Sequence, residues 1–199
     1  MRLLLIRHGQ TAGNMRKAYI GRTDEPLCEE GRAWITERAK TFHQVFPQID
    51  GLYVSPMLRA RETAELCFPG VEQHVVDDLR EMDFGDFEGK TYKEMDGDAR
   101  YQAWVDSGCE GLCLNGEDKA GFCARIERAF ESLLSQASMC GEQNIVVVAH
   151  GGTVMALLAR YAQPAKPYFE WYVESGGAYL VEVLFSEDGT PLLNNPRLC

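Results

Sequence analysis

Leu3-Leu4-Leu5-Ile6-Arg7-His8-Gly9 is a short apolar run that stops at an Arg-His-Gly sequence. Far along the chain, Ile145-Val146-Val147-Val148-Ala149-His150-Gly151-Gly152 repeats the form. Continuous apolar runs of this length mark strands covered on both faces, as in parallel sheets. Residues 50–55 supply a third candidate strand, 74–77 a weaker fourth and Ala178–Phe185 a fifth. Helical spacing lies between them. Ile35, Ala39, Phe42 and Phe46 form one apolar stripe, and Phe122, Ile126, Phe130, Leu133 and Ala137 a longer one. Ser55-Pro56 reads as an N-cap followed by the first helical position, and Gly152-Thr153 opens a helix to about Tyr161. Strands alternating with helices predict an α/β fold: a three-layer α/β/α sandwich with a mostly parallel central sheet.

Composition bounds the rest. The 199 residues suit a single domain spanning 1–199, and 45% hydrophobic with 25% charged residues is ordinary globular usage. Residues 81–118, rich in Gly, acidic and aromatic side chains, fit the alternation least and are expected to form an excursion over the sheet edge and the active site. A net charge of −10 argues against nucleic acid or an anionic membrane as partner, since both call for a basic face. Seven cysteines, without a Cys-x-x-Cys pair or a nearby histidine, do not make a zinc site and read as reduced thiols of a cytoplasmic protein. The apolar run at the N-terminus is too short for a signal peptide or a membrane span.

The chemistry is expected where the strands end, because ligands of open α/β sheets bind outside the carboxyl ends of the strands. Arg7-His8-Gly9 ends the first strand, and Ser55 ends the 50–55 strand, with Arg59 in the first turn of the following helix. His150-Gly151-Gly152 ends the 145–149 strand. If these ends are neighbours, two histidines and two arginines converge. Guanidinium groups present a planar fork of donors to phosphate oxygens. A neutral imidazole can attack phosphorus, and a second can hold the transferring oxygens. The leaving oxygen needs a proton, and Glu81 stands beside aromatic residues in a stretch that also holds Asp83, Asp86 and Glu88. Composition does not choose among these four. His43 and His74 sit in no motif and read as structural or surface residues, Arg61 as a surface or salt-bridging residue, and Phe84, Phe87, Tyr92, Tyr101 and Trp104 as packing more than substrate contacts.

Residues 5–14, Leu-Ile-Arg-His-Gly-Gln-Thr-Ala-Gly-Asn, resemble the Arg-His-Gly signature of the histidine phosphatases, the phosphoglycerate mutase-like superfamily. Ser55–Ala64 resembles the family's second arginine block, Leu79–Gly89 its acid/base block and Val148–Gly152 its second histidine block. Gln10, where many relatives carry Glu, is a small departure. The resemblance implies a phosphomonoesterase working through a phosphohistidine. His8 would be the nucleophile; Arg7, Arg59 and His150 would form the phosphate pocket; Glu81 would be proton donor and then base. It implies Asn14, Gly21 and Gly151 as phosphate or substrate contacts, and neither metal nor cofactor. Phosphoglycerate mutases of the family carry added basic residues after the acid/base block, whereas Thr91–Arg100 has no Arg-Arg pair and is net acidic. A phosphatase is therefore favoured over a mutase, and the presence of every proposed catalytic residue type favours it over a non-catalytic phosphate-binding module. Gly21–Leu27, Asp83–Tyr92 and Tyr101–Trp104 with Asn115–Glu117 are most similar to the α-ribazole phosphatase branch of cobalamin biosynthesis. The expected partner is a small-molecule phosphate ester such as α-ribazole 5′-phosphate, and a homodimer is compatible with the sequence.

Overall fold

In the computed structural model, which describes residues 1–199, the strands are β1 (Arg2–Arg7), β2 (Gly51–Val54), β3 (Gln73–Val75), β4 (Asn144–Ala149), β5 (Ala162–Gln163), β6 (Ala178–Phe185) and β7 (Pro191–Leu198). The helices are α1 (Ala12–Arg16), α2 (Glu29–Val45), α3 (Leu58–Cys67), α4 (Ala99–Asp106), α5 (Lys119–Met139) and α6 (Gly151–Tyr161). The strands form one sheet in the order β3-β2-β4-β1-β6-β7-β5. The β3-β2-β4-β1 half is parallel throughout, and β6 joins β1 antiparallel. The fold is the mostly parallel α/β sandwich that the alternation predicts.

Side chains of a strand alternate between faces, and here both faces are covered. Leu4, Ile6, Val54, Val146 and Val148 pack with Ile35 and Phe42 of α2 and Ala60 and Ala64 of α3. Leu3, Leu5, Ile145 and Val147 pack on the other side with Phe122, Ile126 and Phe130 of α5 and Val154 and Leu157 of α6. Phe42, Phe122 and Phe130 are fully buried, each worth about 1.5–3 kcal/mol relative to exposure. The α5 helix starts on Asp118, whose carboxylate accepts from Gly121 N at 2.6 Å.

Two elements differ from expectation. Helix α3 begins at Leu58 with Met57 at the N-cap, two residues beyond the Ser-Pro pair. Ser55 does not cap it: its hydroxyl is bound to His150 Nε2 at 2.7 Å and accepts a long bond from Met57 N at 3.4 Å, ahead of the helix. The sheet also continues past Phe185 through β7, which pairs antiparallel with β6. Pro191, Pro196 and two asparagines disguise β7 as loop. The disruption is absorbed where the β6–β7 register shifts between Leu180 and Glu182, opposite Asn195 at φ 48° and Pro196.

Candidate active site

Strand register brings the histidines together. Arg7 is paired with Ala149 across β1 and β4, so the next residues, His8 and His150, emerge side by side. Their ring centroids are 5.1 Å apart at an interplanar angle of 66°. Val54 pairs with Val148, which sets Ser55 beside the same strand end. His8 Nδ1 lies 2.6 Å from Gly9 O. A carbonyl only accepts, so Nδ1 carries the proton and Nε2 of the neutral ring keeps its lone pair. Burial, with Arg59 and Arg7 adding to it, holds the His8 pKa well below the ordinary imidazole value. Burial does the same for His150, helped by Arg59 and His8. Two neutral rings therefore face each other at neutral pH.

The arginines are held from behind. Arg7 donates to Val173 O at 2.7 Å, and its guanidinium sits 5.5 Å from the Tyr172 ring centroid. A side chain at Gly151 would come within 3.3 Å of the Arg7 guanidinium carbon, so glycine permits that approach. Arg59 is fully buried and donates to Thr23 O and Gly21 O, each at 2.8 Å. Arg7 Nε, Arg59 Nε and His150 Nδ1 are buried without a partner in the protein. Buried donors are normally paired, and this set suits the oxygens of a phosphoryl group. The α6 N-terminus adds a favourable dipole for an anion. No group of three or more His, Cys, Asp or Glu side chains is placed to hold a metal ion.

A cavity of about 310 Å³ opens over this layer. Arg7, His8, Asn14, Glu81 and Gly151 line it, whereas Arg59 and His150 lie fully buried beneath it. Gly21 is not brought to its wall. The Gly21 N–H donates to Glu88, its carbonyl accepts from Arg59, and an added Cβ would meet Met82 O at 1.8 Å. Among the four candidate carboxylates, Glu81 alone lines the cavity. Asp83 pairs with Arg22, Asp86 with Arg100, and Glu88 gathers the N–H groups of Gly21, Arg22 and Thr23. Burial raises the Glu81 pKa, against the opposing pull of hydrogen bonds from Gly152 N and Met82 N at 2.9 Å.

The walls include residues outside the sequence motifs: Met155, Lys119 and the aromatic segment Tyr168, Phe169 and Tyr172. The Lys119 ammonium lies 4.4 Å from the Tyr168 ring centroid and pairs with Glu110 at 2.5 Å. Phe84 and Trp104 also face the cavity, while Phe87 and Tyr101 pack against the core below and Tyr92 is exposed. A run of aromatics at 168–172 is the signal that could have pointed to the far wall; Lys119 carries none. His43 packs against Phe68 and His74 against Tyr53, away from the cavity.

Fold and site define a class. Residues 3–195 match the histidine phosphatase superfamily (branch 1), and the chain belongs to that superfamily. The enzyme is a phosphatase, a phosphoric monoester hydrolase. It is 36% identical over 183 residues to the adenosylcobalamin/α-ribazole phosphatase of Salmonella typhimurium, covering 88% of this chain and 87% of that one. The α-ribazole phosphatase structure from Shigella flexneri superposes with a TM-score of 0.80 at 30% identity, covering 98% of this chain and 96% of the other. A mycobacterial glucosyl-3-phosphoglycerate phosphatase superposes equally well, with a TM-score of 0.80 at 26% identity over 99% of this chain and 96% of the other. No helix is long and apolar enough to cross a membrane.

The arginine geometry makes a prediction. Arg59 spans two carbonyls with one guanidinium and keeps its Nε without a partner, an arrangement an ammonium cannot reproduce. Arg59→Lys is expected to cost about 1.5–3 kcal/mol of transition-state stabilisation, the scale of one charged hydrogen bond. Vanadate, a mimic of five-coordinate phosphorus, should bind the variant more weakly in parallel. An unchanged kcat/KM would remove Arg59 from the phosphate pocket.

Proposed function

We propose that this phosphatase transfers the phosphoryl group of its ester to His8 and then to water, with Glu81 as acid and base. The observation that carries the reading is the His8–Gly9 hydrogen bond, which leaves a neutral imidazole with its Nε2 lone pair available. The Nε2 lone pair attacks phosphorus and the ester P–O bond breaks. Its electrons go to the leaving oxygen, which takes the proton of Glu81. Water then attacks the phosphohistidine and gives a proton back to Glu81. The P–N bond breaks and neutral His8 is restored. Arg7, Arg59 and His150 hold the phosphoryl oxygens through both steps. A hydroxyl proton from Ser55 to His150 Nε2 would leave the proton on Nδ1, the ring atom without a protein partner. Asn14 and Gly151 line the approach, and Gly21 contributes through Arg59 rather than by touching substrate.

The substrate we favour is α-ribazole 5′-phosphate, on which the similarity to α-ribazole phosphatases and the character of the cavity agree. Hydrophobic side chains dominate the lining, among them the aromatic rings of Tyr19, Phe84, Trp104, Tyr168, Phe169 and Tyr172, which suits a flat aromatic base. Besides Arg7, the only lining cation is Lys119, and Glu110 already pairs with it. A second acidic group, such as the carboxylate of 3-phosphoglycerate, has no free cation to meet.

A panel of phosphorylated metabolites tests this. α-Ribazole 5′-phosphate is expected to exceed phosphoserine and 3-phosphoglycerate by about tenfold or more in kcat/KM, equivalent to ~1.4 kcal/mol. Parity, or mutase activity with 3-phosphoglycerate, would overturn the assignment.

A further inference from the structure

Glu81 lies on a segment with no regular structure of its own, just past the single helical turn Asp77–Leu79. Something else must fix that backbone, and Arg125 of α5 does so. Its NH1 group donates to Asp78 O at 2.8 Å and Arg80 O at 3.1 Å, and its NH2 group reaches Glu81 O at 3.4 Å. The same guanidinium forks onto Glu117, with Nε to Oε1 at 2.9 Å and NH2 to Oε2 at 2.7 Å. Glu117 secures the other flank: its Oε2 accepts from Asp83 N at 2.9 Å, and its own N–H donates to Asp83 O at 2.9 Å. One ion pair thus clamps the backbone on both sides of Glu81. Neither partner lines the cavity that holds Arg7 and His8. Both instead border a second, wholly polar cavity of about 240 Å³, shared with Arg22, Asp78, Arg80, Asp83 and Glu81 itself.

We infer that Arg125 and Glu117 are positioning residues for acid catalysis, holding the Glu81 carboxyl where the leaving oxygen needs its proton. The inference rests on the reading of Glu81 as proton donor. A clamp that only supported the fold would slow every substrate alike. A clamp that aims a proton matters most for a poor leaving group.

The test is single-turnover phosphorylation of His8 in Arg125→Lys and Glu117→Gln. Both variants keep polar side chains of similar length but lose the charged, bidentate fork. Each is expected to slow transfer from an alkyl phosphate by ~10-fold or more and from 4-nitrophenyl phosphate by no more than about twofold, with little further loss in a Glu81→Gln background, since residues acting through one another are not additive. Equal slowing of both esters, or full additivity with Glu81→Gln, would overturn the inference while leaving Glu81 as the acid. Should Glu81→Gln itself slow both esters equally, the proton-donor reading fails and this inference fails with it.

Discussion

His8→Ala is expected to bind phosphate esters and to lose at least ~10³-fold in turnover, about 4 kcal/mol of barrier. The size follows from the absence of a substitute. His150 is the neighbouring imidazole, but it is fully buried below the cavity and its Nε2 is bound to Ser55. The other lining groups are arginine, lysine, amide, aromatic and aliphatic side chains, together with Cys109 and Glu81. Burial raises the Cys109 pKa, which keeps it a thiol rather than a thiolate. Acid-quench experiments with labelled substrate should show acid-labile, base-stable label on the wild type and none on His8→Ala. Turnover near normal in the variant would end the case for a phosphohistidine.

Glu81→Gln is expected to separate leaving groups. An alkyl oxide departs as a strong base and needs a proton, whereas a nitrophenolate needs little help. Transfer to His8 from an alkyl ester should slow ~10²-fold more than transfer from 4-nitrophenyl phosphate, within the usual range for general acid catalysis. Single-turnover measurement is needed, because the proposed mechanism also uses Glu81 as base in the second step. The pH dependence has a definite sign. Burial raises the Glu81 pKa, so the protonated donor persists above the ordinary carboxyl range and is lost as pH rises through that raised value. His8 has a lowered pKa and loses its lone pair only on acidification well below the ordinary imidazole range. The alkyl-ester rate should therefore fall on the alkaline side, and Glu81→Gln should erase that limb. If the limb survives in the variant, its source is another group.

The sheet and the convergence of its polar strand ends were legible because two simple patterns coincide: an apolar run long enough to be buried on both faces, and a polar residue with glycine where it stops. Arg7, His8 and His150 follow from strand ends alone, and Arg59 from the helix turn behind one. Glu81 was not separable from Asp83, Asp86 and Glu88 by composition. The separation comes from partners distant in sequence, since Arg22, Arg100 and the 21–23 amides claim the other three. Ser55 misled for a related reason: a serine before proline satisfies the local rule for a helix start, but here its hydroxyl is bound to His150 and the helix starts only at Leu58. Strand β7 was invisible because prolines and asparagines sit at a register shift that only the paired strand makes tolerable. The cavity walls left little trace, since aromatic residues at packing positions and at a binding surface look the same until the fold assigns them a side.

Apart from Glu81, the groups proposed for the chemistry belong to different parts of the chain from most of the walls around them. Arg7, His8, Ser55 and His150 stand at the ends of three adjacent parallel strands, with Arg59 in the helix turn just beyond, whereas the walls come largely from Phe84–Lys119 and from Met155–Tyr172. Such a division lets residues of these wall segments other than Glu117 change while the strand-end groups stay in place. Substitutions on the walls can retune which ester enters while the attacking nitrogen and the phosphate donors keep their places. An enzyme of this build is a ready starting point for engineered selectivity, with Lys119 and its Glu110 partner as a natural first site to vary when a doubly charged substrate is wanted.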